Sequence, residues 1–308
     1  MNIGNCSHRP APYVEWFYFH FACTDGMALN MVLHETGIFG LKTQPYLSLS
    51  IHWPQQTLYR KRAIPSGAIA ANTPYLHVGQ QLFSEDEQRI IFDIPFDENT
   101  HFRGEIYKLA PPLVIEGGKL YHRTNDSRCS YWVVGVPHAT FEAVLTLNGQ
   151  KHVLTGFAYQ DHQWGDILFQ EWVSDWVWGH FSNAETAVLF FQILTQEGER
   201  IERVARQTAE GWITNTCLET NYVAQLQAHA QPEHYAATVT VPIFQEQIAF
   251  DVYPANLMRH RLNEPVEQHC ASYLRWAATA HLLACGPSSL YGITEYIRLR
   301  PVHERVLG

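Results

Sequence analysis

EWFYFHFACTDGMALNMVLHE, Glu15–Glu35, is two runs of aromatic and aliphatic residues joined through Asp25-Gly26. Aromatic residues suit a pleated surface, and an Asp-Gly pair between two such runs is a hairpin signal. Successive side chains of a strand point to opposite sides. Trp16, Tyr18 and His20 are therefore expected on one face of the first run, and Glu15, Phe17, Phe19 and Phe21 on the other. The pattern repeats downstream. ATFEAVLTLNGQKHVLTGFAYQD (Ala139–Asp161) turns at Asn148-Gly149, and TAVLFFQILTQEGERIERVARQ (Thr186–Gln207) turns near Glu197-Gly198. YAATVTVPIFQEQIAFDVYPA and SLYGITEYIRL are also strand-like, and Pro242 in the former implies an edge or a bulge.

Only EPVEQHCASYLRWAATAHLLA (Glu264–Ala284) has the length and composition to permit a helix, and it reads equally as strand plus loop. Many short strands joined by tight turns point to an all-β chain of sandwiches or barrels. A mostly-strand chain of 308 residues is expected to form two β modules, residues 1–155 and 156–308.

Bulk properties narrow the function. A formal net charge of −9 argues against a nucleic-acid surface, which needs a basic footprint. No cluster of Lys and Arg suggests an anionic membrane as partner, and no run of about 18 apolar residues suggests a transmembrane span. The N-terminal stretch lacks a basic region followed by an apolar one, so no signal peptide is expected. Six scattered cysteines without a CxxC pair read as reduced thiols, and a cytoplasmic protein is the simplest expectation.

The chemistry concentrates in TGFAYQDHQWGDILFQEWVSDWVWGHFSN, Thr155–Asn183, where four Trp surround Asp161, His162, Asp166, Asp175 and His180. Read as a strand, EWVSDWVWGH puts Trp172, Ser174, Trp176, Trp178 and His180 on one face. That face suits the wall of an apolar cavity. Phe157, Tyr159 and Asp161 likewise share a face. A carboxyl held against apolar surface has its charged form disfavoured, so it can deliver a proton near neutral pH, and aromatic faces stabilise developing positive charge. Other readings stay open. The aromatic strand can be ordinary core, Asp161 can satisfy turn amides around DHQWGD, and His162 and His180 can be hydrogen-bonded structural histidines. Glu15 is either a buried structural partner for an Arg, the favoured reading, or a site residue.

Four anchors, EWFYFHF, GFAYQDHQWGD, EWVSDWVWGHF and YGITEY, come in an order that resembles the hydroxyneurosporene-synthase-like family. TGIFGLKTQPYLSLSIHW is similar to the equivalent stretch of the hydratases in that family. The resemblance implies two lipocalin-like β-barrel or sandwich domains packed side by side. It implies carotenoid 1,2-hydratase or decalin-forming Diels–Alderase activity, in a pocket within or between the domains. Glu-Trp-Phe-Tyr stands where many relatives have two adjacent Trp, which puts the contribution of Phe17 in doubt but not the strand.

On this reading the catalytic candidates are Asp161, Tyr159 and His180, with Asp161 the acid implied by the hydratases. The substrate-binding candidates are Trp16, Tyr18, His34, Trp164, Trp172, Trp176 and Trp178. Three functions compete: a natural-product cyclase folding a hydrophobic polyene, a hydro-lyase adding water to an isoprenoid double bond, and a carrier that leaves its lipophilic ligand unchanged. Holding reactants together can lower a barrier by about 7–11 kcal/mol at best, and a hydrogen bond to an activating carbonyl adds to this. No nucleophile, nucleotide-binding or HExxH motif organises the chain and its 17 histidines, so no cofactor and no metal is expected, and a metallohydrolase ranks last. The expected partner is a hydrophobic small molecule, bound by a monomer or homodimer.

Overall fold

The computed structural model describes residues 13–36, 44–53, 56–69, 75–79, 82–215, 238–243, 246–259, 270–282 and 289–299. It is an all-β chain whose described strands form two antiparallel sheets. The first contains β1 (Val14–Cys23), β2 (Ala28–His34), β3 (Tyr46–Trp53), β4 (Gln56–Ala63), β5 (His77–Val78), β6 (Phe83–Glu85), β7 (Arg89–Pro95), β8 (Thr100–Lys108), β9 (Lys119–His122), β10 (Cys129–Leu147) and β11 (Gln150–Gly165). Their order is β4-β3-β2-β1-β11-β10-β8-β7-β6-β5, with β9 also on β10.

After a four-residue helix, α1 (Phe169–Trp172), the second sheet follows: β12 (Val173–Ser182), β13 (Ala187–Thr195), β14 (Arg200–Thr208), β15 (Gly211–Asn215), β16 (Thr238–Ile243), β17 (Glu246–Arg259), β18 (Cys270–Leu282) and β19 (Ser289–Leu299). Its order is β15-β14-β13-β12-β19-β18-β17-β16. Among the described residues, no helix is long and apolar enough to cross a membrane.

The chain divides into two compact units, Met1–Cys23, Leu29–Ile51 and Leu58–Leu168 in one, and Thr24–Ala28, His52–Thr57 and Phe169–Gly308 in the other. A division at residue 155 would cut β11, which is hydrogen-bonded to β1 on one side and β10 on the other. The main break follows Leu168 instead.

The turns are where their residues place them. Asn148 (φ 50°) and Gly149 (φ 80°) both take positive φ, as a two-residue hairpin of the right twist requires. Between β1 and β2 the Met27 amide donates to Asp25 Oδ1 at 3.0 Å, and Gly26 takes φ 89°. Gly198 closes the turn from β13 to β14 at φ 86°. Pro242 lies on β16, an edge of the described second sheet. Pro137 falls where β10 slips register against β11, between Val136 and Ala139, so its missing N–H costs no ladder bond.

The stretch whose composition permits a helix, Glu264–Ala284, is a strand over Cys270–Leu282; residues 264–269 and 283–284 lie outside the described residues. Alanine's advantage in a helix is a few tenths of a kcal/mol per residue, about the scale of noise against hydrogen bonding along both edges to β17 and β19.

The strands of the first sheet differ in how many faces they bury. β7 alternates strictly, with Ile90, Phe92 and Ile94 buried and Arg89, Ile91, Asp93 and Pro95 exposed. On β1 all ten residues are buried. One β1 face forms the aromatic core of the first unit. Phe21 meets Phe92, Phe102 and Phe141 at ring distances of 5.6, 5.2 and 5.1 Å, and Phe19 stacks on Phe83 at 5.3 Å. The candidate site lies on the other face.

Candidate functional site

Residues directly opposite in an antiparallel pair project to the same side. Along β1 and β11, Tyr18 faces Asp161, His20 faces Tyr159, Trp16 faces Gln163 and Ala22 faces Phe157. All of these are buried. β2 joins the same face through Asn30, whose Nδ2 donates to the Tyr18 hydroxyl. Leu29, Met31 and Leu33 between its polar positions are fully buried on the core side. β3 alternates in the same way: Leu47, Leu49 and Ile51 are fully buried, and Tyr46, Ser48 and Ser50 occupy the other side. His34 stacks on Tyr46 at 4.4 Å, with the Lys61 ammonium 3.8 Å from the centre of the Tyr46 ring. This face runs from a fully buried end at Asp161, Tyr159 and Asn30 to a half-buried end at His34 and Tyr46.

At the buried end the Tyr159 hydroxyl donates to Asp161 Oδ2 at 2.8 Å. The His20 ring stacks on Tyr159 at 5.4 Å, and Tyr18 meets it edge-on at 6.4 Å. A carboxyl group one hydrogen bond from a phenol, bordered by aromatic rings, can pass a proton to a bound molecule. The hydroxyl stabilises the carboxylate that remains.

Burial, and then the positive charge of Lys61, pushes the His34 imidazole down to about 3 from 6.5. Burial likewise pushes His52, at the end of β3, down to about 3. Burial, with Tyr59 beside it, raises the Tyr46 phenol above its ordinary value. The histidines are therefore neutral at physiological pH and act as uncharged hydrogen-bonding groups.

A folded-state value below the unfolded one means that unfolding takes up protons between about 3 and 6.5. Stability from these two rings is complete above about pH 6.5 and is lost as the pH falls towards 3. Urea unfolding across that range is expected to show His34→Phe taking up one proton fewer than the wild type. Equal uptake would mean that the His34 ring is solvated in the folded protein.

Glu15, on the opposite face of β1, is paired with His162 at 2.7 Å, where the sequence suggested an Arg. The Tyr13 hydroxyl donates to its other oxygen at 3.1 Å. His162 is sandwiched by Phe17 at 4.0 Å and Trp164 at 4.5 Å. This pairing is what a structural role for both residues requires. It also uses Phe17, whose ring is the flat wall beneath the imidazole. Asp166 accepts from the Cys129 amide at 2.6 Å and so closes the end of β11.

Of the residues singled out from sequence, Trp16, Tyr18, His34, Tyr159 and Asp161 thus share one sheet face. Trp164 stands opposite Glu15 on the other face of β11, away from Asp161. Trp172 is not on the strand: it ends α1, and a register shift between Val173 and Asp175 breaks the alternation with Ser174 as well.

Trp176, Trp178 and His180 do share a face of β12 in the second unit. There Trp176 stacks near Phe169 and Phe191, at 5.5 and 6.1 Å, and Trp178 stands opposite Glu295, which pairs with Arg275. His180, fully buried, stands between Leu189 and Ile293. On the other face Asp175 accepts from Tyr296 at 3.0 Å and from Ser174 at 2.9 Å, so its carboxylate is held structurally.

Asn30, Ser48 and Ser50 were not singled out from sequence. Their signal is visible in LNMVLH and YLSLSIHW, where polar and aliphatic residues alternate. Such alternation ordinarily means one solvent-facing side, and only the structure shows the polar side buried. Among the described residues, no group of three or more His, Cys, Asp or Glu is placed to hold a metal ion. A shallow groove of about 450 Å³ on the outer side of β7, β8 and β10, lined by Asp93, Arg103, Glu105, Tyr107 and Glu142, is open to solvent and lacks a buried acid.

No model of a known protein family matches the sequence, and none of the curated proteins matches it either. Solved structures do match. An AttH-type protein (NE1406) of Nitrosomonas europaea aligns over 92% of this chain and 92% of its own, with TM-score 0.67 and 15% identity. Kievitone hydratase of Nectria haematococca aligns over 92% of this chain and 88% of its own, with TM-score 0.59 and 12% identity. CghA, solved with Sch210972, aligns over 97% of this chain and 95% of its own, with the same score and identity. At such identities the likeness is one of architecture: the chain has the lipocalin-like, AttH-type all-β fold.

Proposed function

We propose that this protein is an enzyme of natural-product biosynthesis that takes up a hydrophobic polyene and closes it into a ring, with Asp161 as the acid. The observation that carries the reading is the 2.8 Å hydrogen bond from Tyr159 to Asp161 on a buried, aromatic sheet face. Asp161 passes its proton to an activating carbonyl of the polyene while the Tyr159 hydroxyl stabilises the carboxylate. The ring closes as polyene π bonds are exchanged for new carbon–carbon σ bonds, and the proton returns to Asp161 as the carbonyl re-forms. Trp16, Tyr18 and Phe157 on the same face offer rings to the hydrocarbon and to positive charge developing along it.

The same acid beside the same rings also favours a second reading, hydration of an isolated isoprenoid double bond. One experiment separates the two. The pure protein is incubated with a linear conjugated polyene ending in an unsaturated carbonyl and, in parallel, with an isoprenoid alkene lacking one. The products are then weighed by mass spectrometry. Cyclisation of the first substrate yields an isomer of unchanged mass and altered retention. Hydration yields a product heavier by one water. Recovery of both compounds unaltered would mean a carrier and would end the enzymatic reading.

A further inference from the structure

Buried polar groups are almost always hydrogen-bonded, because desolvation without a partner is costly. Asn30, in the middle of β2, is 1% exposed, and its Nδ2 donates to the Tyr18 hydroxyl. Its Oδ1, wholly buried, has no hydrogen-bond partner among the described residues. The atom sits on the same sheet face as Tyr18, which stands directly opposite Asp161. Along that strand face, His34 Nδ1 is a second buried atom in the same condition.

An amide clamped at one end by Tyr18 cannot rotate to find another partner, so Oδ1 presents a fixed acceptor on the sheet face that carries the proposed acid. Aliphatic side chains on either side of Asn30, Leu29 and Met31, belong to the core and offer no donor. What fits the open acceptor is a hydroxyl or N–H group carried by the bound molecule.

We infer that Asn30 is a specificity-determining residue, selecting lipophilic substrates that carry a hydrogen-bond donor over analogues that lack one. The inference rests on the polyene reading above and names the polar function that such a substrate bears. A site built around an unsatisfied acceptor discriminates sharply against a molecule that leaves it unsatisfied, more sharply than an apolar pocket discriminates shape.

The test uses three polyenes with one carbon skeleton, followed by quenching of tryptophan fluorescence in the full chain. All-trans-retinol carries the donor. Its methyl ether and the corresponding aldehyde carry only acceptors. The wild type is expected to bind the alcohol about tenfold or more tightly than either of the others. Asn30→Leu, close in volume, is expected to bind all three within about twofold of one another, while Asn30→Asp, which keeps an acceptor, retains the preference.

Tight but equal binding of all three by the wild type overturns the role of Asn30 and leaves the polyene reading standing. Failure of the wild type to bind any of them overturns the polyene reading and the inference with it. The wild-type comparison needs no variant to fold.

Discussion

Replacing Asp161 by Asn is expected to lower the turnover of the polyene by a factor of about 10² to 10⁴, the range that general acid catalysis ordinarily contributes. In free energy this is about 3–5 kcal/mol of lost transition-state stabilisation. The substitution is nearly isosteric, and the amide oxygen of Asn can still accept from Tyr159, so the fold loses little. What it removes is the transferable proton. KM is expected to change far less than kcat, because the proton matters only as charge develops in the transition state. The informative measurement is kcat with the carbonyl-bearing polyene alongside thermal unfolding. A loss below tenfold in an unperturbed fold would show that the rate comes from holding the substrate in shape, and Asp161 would revert to a structural carboxyl.

The second large effect is on stability. Phe21→Ala is expected to reduce the stability of the first unit by about 3–5 kcal/mol, the range for a buried Phe replaced by Ala. Phe21 is fully buried, and three rings surround it at 5.1 to 5.6 Å. Their contacts with it are edge-on or tilted, so no single neighbour can move to fill the space without leaving another. Native-state hydrogen exchange of the β1, β10 and β11 amides reads this unit directly, without assuming that the whole chain unfolds in one step. A loss under about 1 kcal/mol would mean that the ring cluster collapses into the gap and is not the rigid core described.

These two substitutions act on opposite sides of one pair of strands. Phe21 projects with Ala158 into the aromatic core, and Asp161 projects with Tyr18 to the other face. A change on the first face is expected in the unfolding curve, and a change on the second in turnover.

The assignment of side chains to faces was legible in the sequence because alternation is a local property of an extended chain. Trp16, Tyr18 and His20 do share a side, as do Tyr159 and Asp161. The turns at Asp25-Gly26, Asn148-Gly149 and Glu197-Gly198 were legible for a related reason. Positive φ at a hairpin is cheap only for Gly and a few others, so the residues announce the geometry. The reading failed where something other than local period intervened. α1 and the register shift after Val173 took Trp172 and Ser174 off the strand pattern. Pairing on both edges made a strand of Cys270–Leu282, despite alanines that would serve a helix.

What the sequence determined alone is the strands flanking its hairpin turns, those turns, and which side chains of those strands travel together on a face. What only the tertiary structure decided is which of those faces lose contact with water. LNMVLH and YLSLSIHW read as ordinary half-solvated strands, yet Asn30, Ser48 and Ser50 are buried. Burial of a second face depends on residues far away in the chain, and no local pattern encodes them. The functional reading rests on that non-local fact: Asp161, Tyr159 and Asn30 carry distinctive chemistry because water has been removed from the polar side of the sheet.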